Sequence, residues 1–193
     1  MQTRSMFRLA LLGALAACFA CKAKEPAATS PAQQSAAAVT AVVKMENIPP
    51  AGSYVKKRTY FKLPSVAGGD IDLADFAGKP LMVMFFTETC PFCRKAAPHL
   101  EKIYTTYKDK GFTILGVCIQ NDRRAPANFA AALGTTFPMA YGGRDLYGKY
   151  KARGVPFIFL LDKEHEVRKV WPGYTESFDP EMVRAIDSVL AGK

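Results

Sequence analysis

Six consecutive apolar residues, Leu81-Met82-Val83-Met84-Phe85-Phe86, predict a buried strand by their length and composition. Beyond Cys93 the period changes. Ala96, Ala97, Leu100, Ile103, Tyr104 and Tyr107 recur at helical spacing, with Arg94, Lys95, Glu101, Lys102 and Lys108 on other faces. This predicts an amphipathic helix closed by the basic last turn and glycine cap of Lys110-Gly111. Pro98 falls inside that helix and predicts a kink. A second buried strand is predicted over 112–119, a polar loop over 121–126, and a short helix over 127–133 ending at Gly134. A brief extended stretch over 137–139 and another short helix over 145–152 follow. Residues 157–161 are a third apolar run, 162–165 a turn, and 166–171 an edge strand; 178–190 is a last amphipathic helix with Pro180 near its first turn. Ahead of all these, 60–64 and 71–73 read as short extended pieces around the Gly68-Gly69-Asp70 turn. The first half calls for a right-handed parallel crossover and the last two strands for a hairpin. The predicted class is therefore α/β, with a mixed central sheet and helices on both faces.

The first third of the chain lacks this patterning. Arg4 and Arg8 flank a basic start, and the apolar run 9–17 is too short to span a bilayer, which is the pattern of a secretory signal over residues 1–17. Its end, Leu15-Ala16-Ala17-Cys18, resembles the bacterial lipobox, which implies that Cys18 becomes the lipidated first residue of the mature chain. The competing reading is an ordinary cut near Ala20 that removes Cys18. Phe19, rather than Asp, follows the cysteine, which by the lipoprotein rule favours an outer-membrane anchor over an inner-membrane one. Residues 22–52 are rich in Ala, Pro, Ser, Thr and Gln and short of large apolar side chains, so residues 18–57 read as a lipidated cysteine with a flexible tether, and 58–193 as the folded domain. Cys21 has no assigned role. Charge changes little: 26 Lys and Arg against 17 Asp and Glu are scattered, and nothing interleaves basic and aromatic residues as a nucleic-acid surface would. An exported address means an oxidising compartment in which disulfides persist.

The chemistry concentrates where the first buried strand meets the helix, at Thr89-Cys90-Pro91-Phe92-Cys93. A helix start presents free backbone N–H groups and a partial positive charge, and both favour a nucleophilic thiolate at Cys90. Cys93, three residues on, is placed to attack a mixed disulfide formed at Cys90, so the pair can cycle between dithiol and disulfide. A structural disulfide over so small a loop would stabilise little. A zinc site would need two further ligands, and no second closely spaced pair of Cys or His is present. Neither a metal nor another cofactor is expected.

Residues 81–93, Gly154-Val155-Pro156 some sixty residues later, the run 157–162 and Gly173 together resemble a thioredoxin fold, a three-layer α/β architecture. The lead-in 70–80, the helix before Phe137-Pro138 and the segment Tyr150-Lys151-Ala152-Arg153-Gly154-Val155-Pro156 are similar to the TlpA-like branch, membrane-tethered thiol–disulfide oxidoreductases of the bacterial envelope. The resemblance covers about 58–193. It implies catalysis by Cys90 and Cys93, and a cis peptide at Val155-Pro156 whose free backbone groups bind an extended substrate. It also implies partners: disulfide-containing envelope proteins, apocytochrome c among them, and a membrane thiol oxidoreductase that donates electrons. The site would lie on the periplasmic side of the envelope. Three positions depart from the pattern. Thr89 stands where members often carry Trp, Met84 where thioredoxin has a buried Asp, and Ala96 where many TlpA-like reductases have Glu, so the usual proton acceptor for Cys93 is missing. Glu88 is near in sequence but reads as exposed.

Other residues take plainer readings: Cys118 as a buried packing thiol, His99 as a surface or packing residue, His165 as a solvated turn residue, and Trp171 as core or edge packing. Two other functions compete. A copper-binding assembly factor of the same fold would need three residues between its cysteines and a His before a late strand, whereas here two residues intervene and His165 follows the strand. A peroxiredoxin-like peroxidase would need Pro and Thr closely upstream of Cys90, and Pro80 has the wrong spacing.

Overall fold

A computed structural model describes residues 50–192. The signal (1–17), Cys18, Cys21 and the tether as far as residue 49 lie outside the described residues. The elements are α1 (Ala51–Tyr54), β1 (Lys62–Pro64), β2 (Asp70–Asp72), β3 (Leu81–Phe86), α2 (Pro91–Tyr107), β4 (Thr113–Cys118), α3 (Arg124–Leu133), β5 (Met139–Ala140), α4 (Arg144–Lys149), β6 (Phe157–Leu161), β7 (Val167–Pro172) and α5 (Asp179–Leu190). β1 and β2 form a small antiparallel ribbon, and the main sheet has the order β5-β4-β3-β6-β7. β4 lies parallel to β3 and to β5, while β6 lies antiparallel to β3 and to β7.

β3 is apolar throughout because both faces of the sheet are covered, so alternation has no solvent side to express. Met82, Met84 and Phe86 point into one core with Cys93, Leu100 of α2, Phe129 of α3 and Ile186 of α5. Leu81, Val83 and Phe85 point into the other, with Phe61, Leu73, Leu146 and Phe159. β7 is an edge strand, and it buries only Trp171 of its six residues.

Two boundaries differ from the pattern-based expectation. α3 begins at Arg124 instead of 127, because Pro126 sits in its first turn, where a missing N–H costs nothing, and the Asp122 carboxylate accepts from the Arg124 N–H at 2.9 Å. α2 ends at Tyr107 instead of 110, and a 3-10 turn over Lys108–Lys110 carries the chain to Gly111 in the left-handed region at φ 84°. Folded packing also starts ahead of residue 58. The Tyr54 ring is buried, and its hydroxyl donates to the Lys163 carbonyl at 2.7 Å and accepts from the Gly78 N–H at 3.0 Å.

The expected solvation of His165 is corrected. Its backbone does occupy the β6–β7 turn, in the left-handed region at φ 59°, but the side chain is fully buried. The N-terminal segment folds over it: the Tyr54 ring meets it edge-on at 4.5 Å, the Thr59 hydroxyl donates to its carbonyl, and Nε2 lies 3.1 Å from the Phe76 carbonyl. Burial lowers its pKa from the ordinary histidine value. The unfolded chain therefore takes up this proton first as pH falls below about 6.5, so stability present at neutral pH is lost on acidification. Thermal unfolding followed from pH 7.5 to 5 should show a fall in Tm that is smaller in His165→Gln. Equal slopes in both proteins would refute the assignment.

Candidate functional site

β3 ends at Phe86, and three residues later the chain turns into α2 with Cys90 as its N-cap, in an extended conformation (φ −64°, ψ 117°), and Pro91 in the first turn. The cap is made by sulfur: the Cys93 N–H donates to Cys90 Sγ at 3.2 Å, and the Arg94 N–H donates to the Cys90 carbonyl at 3.0 Å. An N-cap sulfur receives an amide donor and faces the positive end of the helix, so the surroundings suit negative charge. The same Sγ donates to the Val155 carbonyl at 3.3 Å, across 65 residues of chain. The Val155–Pro156 peptide is cis. Four positions singled out in the sequence (Cys90, Cys93, Val155 and Pro156) thus meet at one end of the sheet.

The two cysteines are free thiols in unequal surroundings. Cys90 is half-exposed, whereas Cys93 is fully buried against β3 and the first turns of α2. Burial pushes the Cys93 thiol pKa well up, and its interaction with Cys90 adds to the shift. The carboxylate positions missing from the sequence are filled by apolar groups: Met84 and Ala96 are both fully buried in the same core as Cys93. Glu88 is half-buried rather than exposed, and it is engaged elsewhere. Its N–H donates to Gln120 Oε1 at 2.9 Å, and its Oε1 accepts from Asn128 Nδ2 at 3.0 Å.

Beside Cys90 lies a groove of about 280 Å³. Phe92, 60 % exposed between the cysteines, forms one side, and Tyr174 and Phe178 form the other with Val155 at the end nearest sulfur. Gly173 (φ 88°) makes the turn that brings this wall over, and its N–H donates to the Pro156 carbonyl at 2.8 Å. Sequence reasoning missed the groove, because it gave neither Phe92 nor Tyr174 a role. One signal was available: a large aromatic residue set between two cysteines in the first turn of a helix.

The remaining candidates sit apart from the pair. Cys118 is buried, burial raises its thiol pKa, and Sγ lies 3.7 Å from Gln120 Oε1, as a packed thiol would. Trp171 is buried in the core. His99 Nδ1 is 2.7 Å from Asp179 Oδ2, whose other oxygen accepts from the Tyr174 hydroxyl at 2.8 Å. His99 therefore fastens α2 to α5 and to the groove wall. Among the described residues no cluster of three or more His, Cys, Asp or Glu is arranged to hold a metal ion, and no helix is long and apolar enough to cross a membrane.

The profile of the AhpC/TSA family matches residues 55–170. The thiol-disulfide oxidoreductase ResA of Geobacillus kaustophilus is 29 % identical over 130 residues, which cover 67 % of this chain and 74 % of that one. The protein of the same name in Halalkalibacterium halodurans is 30 % identical over 128 residues, 65 % of this chain and 73 % of that one. The thioredoxin domain of a thiol-disulfide oxidoreductase from Bacteroides vulgatus superposes with a TM-score of 0.60 at 25 % identity, covering 66 % of this chain and 93 % of that one.

Proposed function

The chain belongs to the AhpC/TSA family, in a thioredoxin-like fold, and on that premise we propose that it is a protein thiol–disulfide oxidoreductase working through Cys90 and Cys93. One observation carries the assignment of roles: a reachable sulfur held between an amide donor and the Val155 carbonyl, with a second sulfur sealed beneath it. Cys90, as thiolate, attacks one sulfur of a substrate disulfide; a mixed disulfide forms and the other substrate sulfur leaves as thiolate. Losing its proton releases Cys90 from the Val155 carbonyl, which can then accept an N–H from an extended substrate segment. Cys93 attacks Cys90 Sγ next, closing the Cys90–Cys93 disulfide and releasing the second substrate thiolate. With Met84 and Ala96 in place of a carboxylate, the departing substrate thiolate is the base that removes the Cys93 proton. The two electrons given to substrate are restored by an external dithiol. The groove formed by Phe92, Tyr174 and Phe178 receives side chains that flank the substrate cysteine.

Cys93→Ala should arrest the cycle at its midpoint. Incubated with a disulfide-bonded protein substrate, the variant is expected to accumulate a covalent adduct through Cys90 that dithiothreitol releases, while wild type accumulates little. An adduct-free Cys93→Ala would refute the assigned order of attack.

The proposal extends to place and partners on sequence grounds. The apolar leader and Leu15-Ala16-Ala17-Cys18 support export with a lipid anchor at Cys18, favouring the outer membrane, and substrates among envelope proteins such as apocytochrome c. A membrane-embedded thiol oxidoreductase would supply the electrons. Cell fractionation checks the anchor: wild type is expected with the membranes and Cys18→Ala in the soluble fraction. Equal partitioning of the two would remove lipidation from the reading.

A further inference from the structure

A second groove, of about 540 Å³, runs between α2 and α5 on the flank of the domain. Its volume lies in the range of small-molecule sites. Its floor is apolar, made by Ile103, Tyr107 and Val183. Ile103 and Tyr107 are themselves nearly buried, and the Tyr107 hydroxyl is turned away into a 2.8 Å hydrogen bond with Asp187 Oδ1.

Among the residues lining the groove, two cations, Lys102 and Arg184, stand against one carboxylate, Asp179. Asp179 at one end is used twice, by His99 and by Tyr174. Asp187 accepts from the neutral Tyr107 hydroxyl and keeps its charge, and Glu181 on α5 is paired with Lys169 and also feels the charge of Arg184. Lys102 from α2 and Arg184 from α5 stand on the rim, both exposed, and among the described residues neither has an acidic partner within 4.0 Å. Lys110 adds a third positive charge, its Nζ 4.7 Å from the centre of the Tyr107 ring.

An apolar trough whose lining carries more cations than carboxylates is complementary to a molecule with an apolar body and a negative head. The apolar body loses its contact with water on the floor, and the head meets two cations that form no ion pair within 4.0 Å among the described residues. We infer that the α2–α5 groove binds an amphipathic organic anion, a medium-chain aliphatic carboxylate being the simplest member of the class. The guanidinium of Arg184 suits a carboxylate through two parallel N–H donors, and Lys102 contributes a point charge from the opposite helix. The site is independent of the cysteines in composition, although Asp179 joins its wall to that of the substrate groove through Tyr174.

Decanoate, below its micelle concentration, is the probe. Titrated into the isotope-labelled full chain and followed by amide chemical shifts, it should give saturable changes confined to α2 beyond His99 and to α5. Decyltrimethylammonium, with the same tail and the opposite charge, should give none of these. The double variant Lys102→Glu/Arg184→Glu should weaken decanoate binding at least tenfold with the disulfide-reduction rate unchanged, since neither residue approaches the cysteines. Val183→Trp, which fills the floor, should abolish binding. If that variant does not fold, the charge-reversed protein still decides. Equal binding of both probes, or an unchanged affinity after charge reversal, would overturn the inference. So would binding to anionic phospholipid vesicles without any saturable response to decanoate, which would mark a membrane-contact surface instead.

Discussion

Cys90→Ser is expected to lower the rate of protein-disulfide reduction by a factor on the order of 10³ or more, with no change in fold. Both halves follow from the geometry at the start of α2. Serine accepts the Cys93 N–H as an N-cap at least as well as sulfur does, so the helix keeps its cap and Tm should move little. The hydroxyl cannot replace the thiolate as nucleophile at neutral pH, and Cys93, fully buried with its thiol pKa raised, cannot take over the first attack. Reduction of insulin disulfides, measured beside thermal unfolding of the same preparations, separates the two effects. A Cys90→Ser protein that still turned over substrate would remove the pair from the mechanism.

Phe86→Ala is expected to cost about 3–5 kcal/mol, the range for truncating a buried phenylalanine. Phe86 is the last residue of β3 and fully buried, and its ring packs at 4.5 Å on that of Phe129 in α3. It also occupies space left by a neighbour: a Cβ on Gly116 of β4 would lie 3.2 Å from Phe86 Cε1 and 3.0 Å from Met139 Cγ. A backbone this close to the ring cannot collapse into the cavity without shifting β4 itself, so the truncation sits toward the costly end of the range. For a domain of this size the loss corresponds to a fall in Tm of roughly 10–20 °C. A change under about 1 kcal/mol in denaturant titration would show that the α2–α3 face of the sheet is loosely packed.

Stretches whose burial is decided locally could be read directly. β3, β4 and β6 are continuous apolar runs, and α2 and α5 carry their apolar stripes at helical period, so their existence and order followed from the pattern. The start of α3 did not, because Pro126 reads as a breaker until Asp122 is seen caring for the first turn. His165 was misread for a related reason. A turn is exposed unless another segment covers it, and the covering residues, Tyr54, Thr59 and Phe76, lie 89 or more positions away. Tyr54 belongs to a stretch whose composition looked like tether.

At the site, spacing alone placed Cys90 and Cys93 at a strand-to-helix junction, and the absence of a carboxylate at 84 and 96 was visible as well. That the Val155 carbonyl meets Cys90 Sγ rested on resemblance at the sequence level and is seen here as a contact. The groove of Phe92, Tyr174 and Phe178, and the cations Lys102 and Arg184 facing each other across α2 and α5, had no counterpart in the pattern, since each draws on segments far apart in the chain. Periodicity and spacing report what one segment does with its own neighbours, and they determined the elements and the cysteine pair. Which sulfur is reachable, which histidine is dry and which surfaces form grooves depends on non-local packing, and only the tertiary structure decided those.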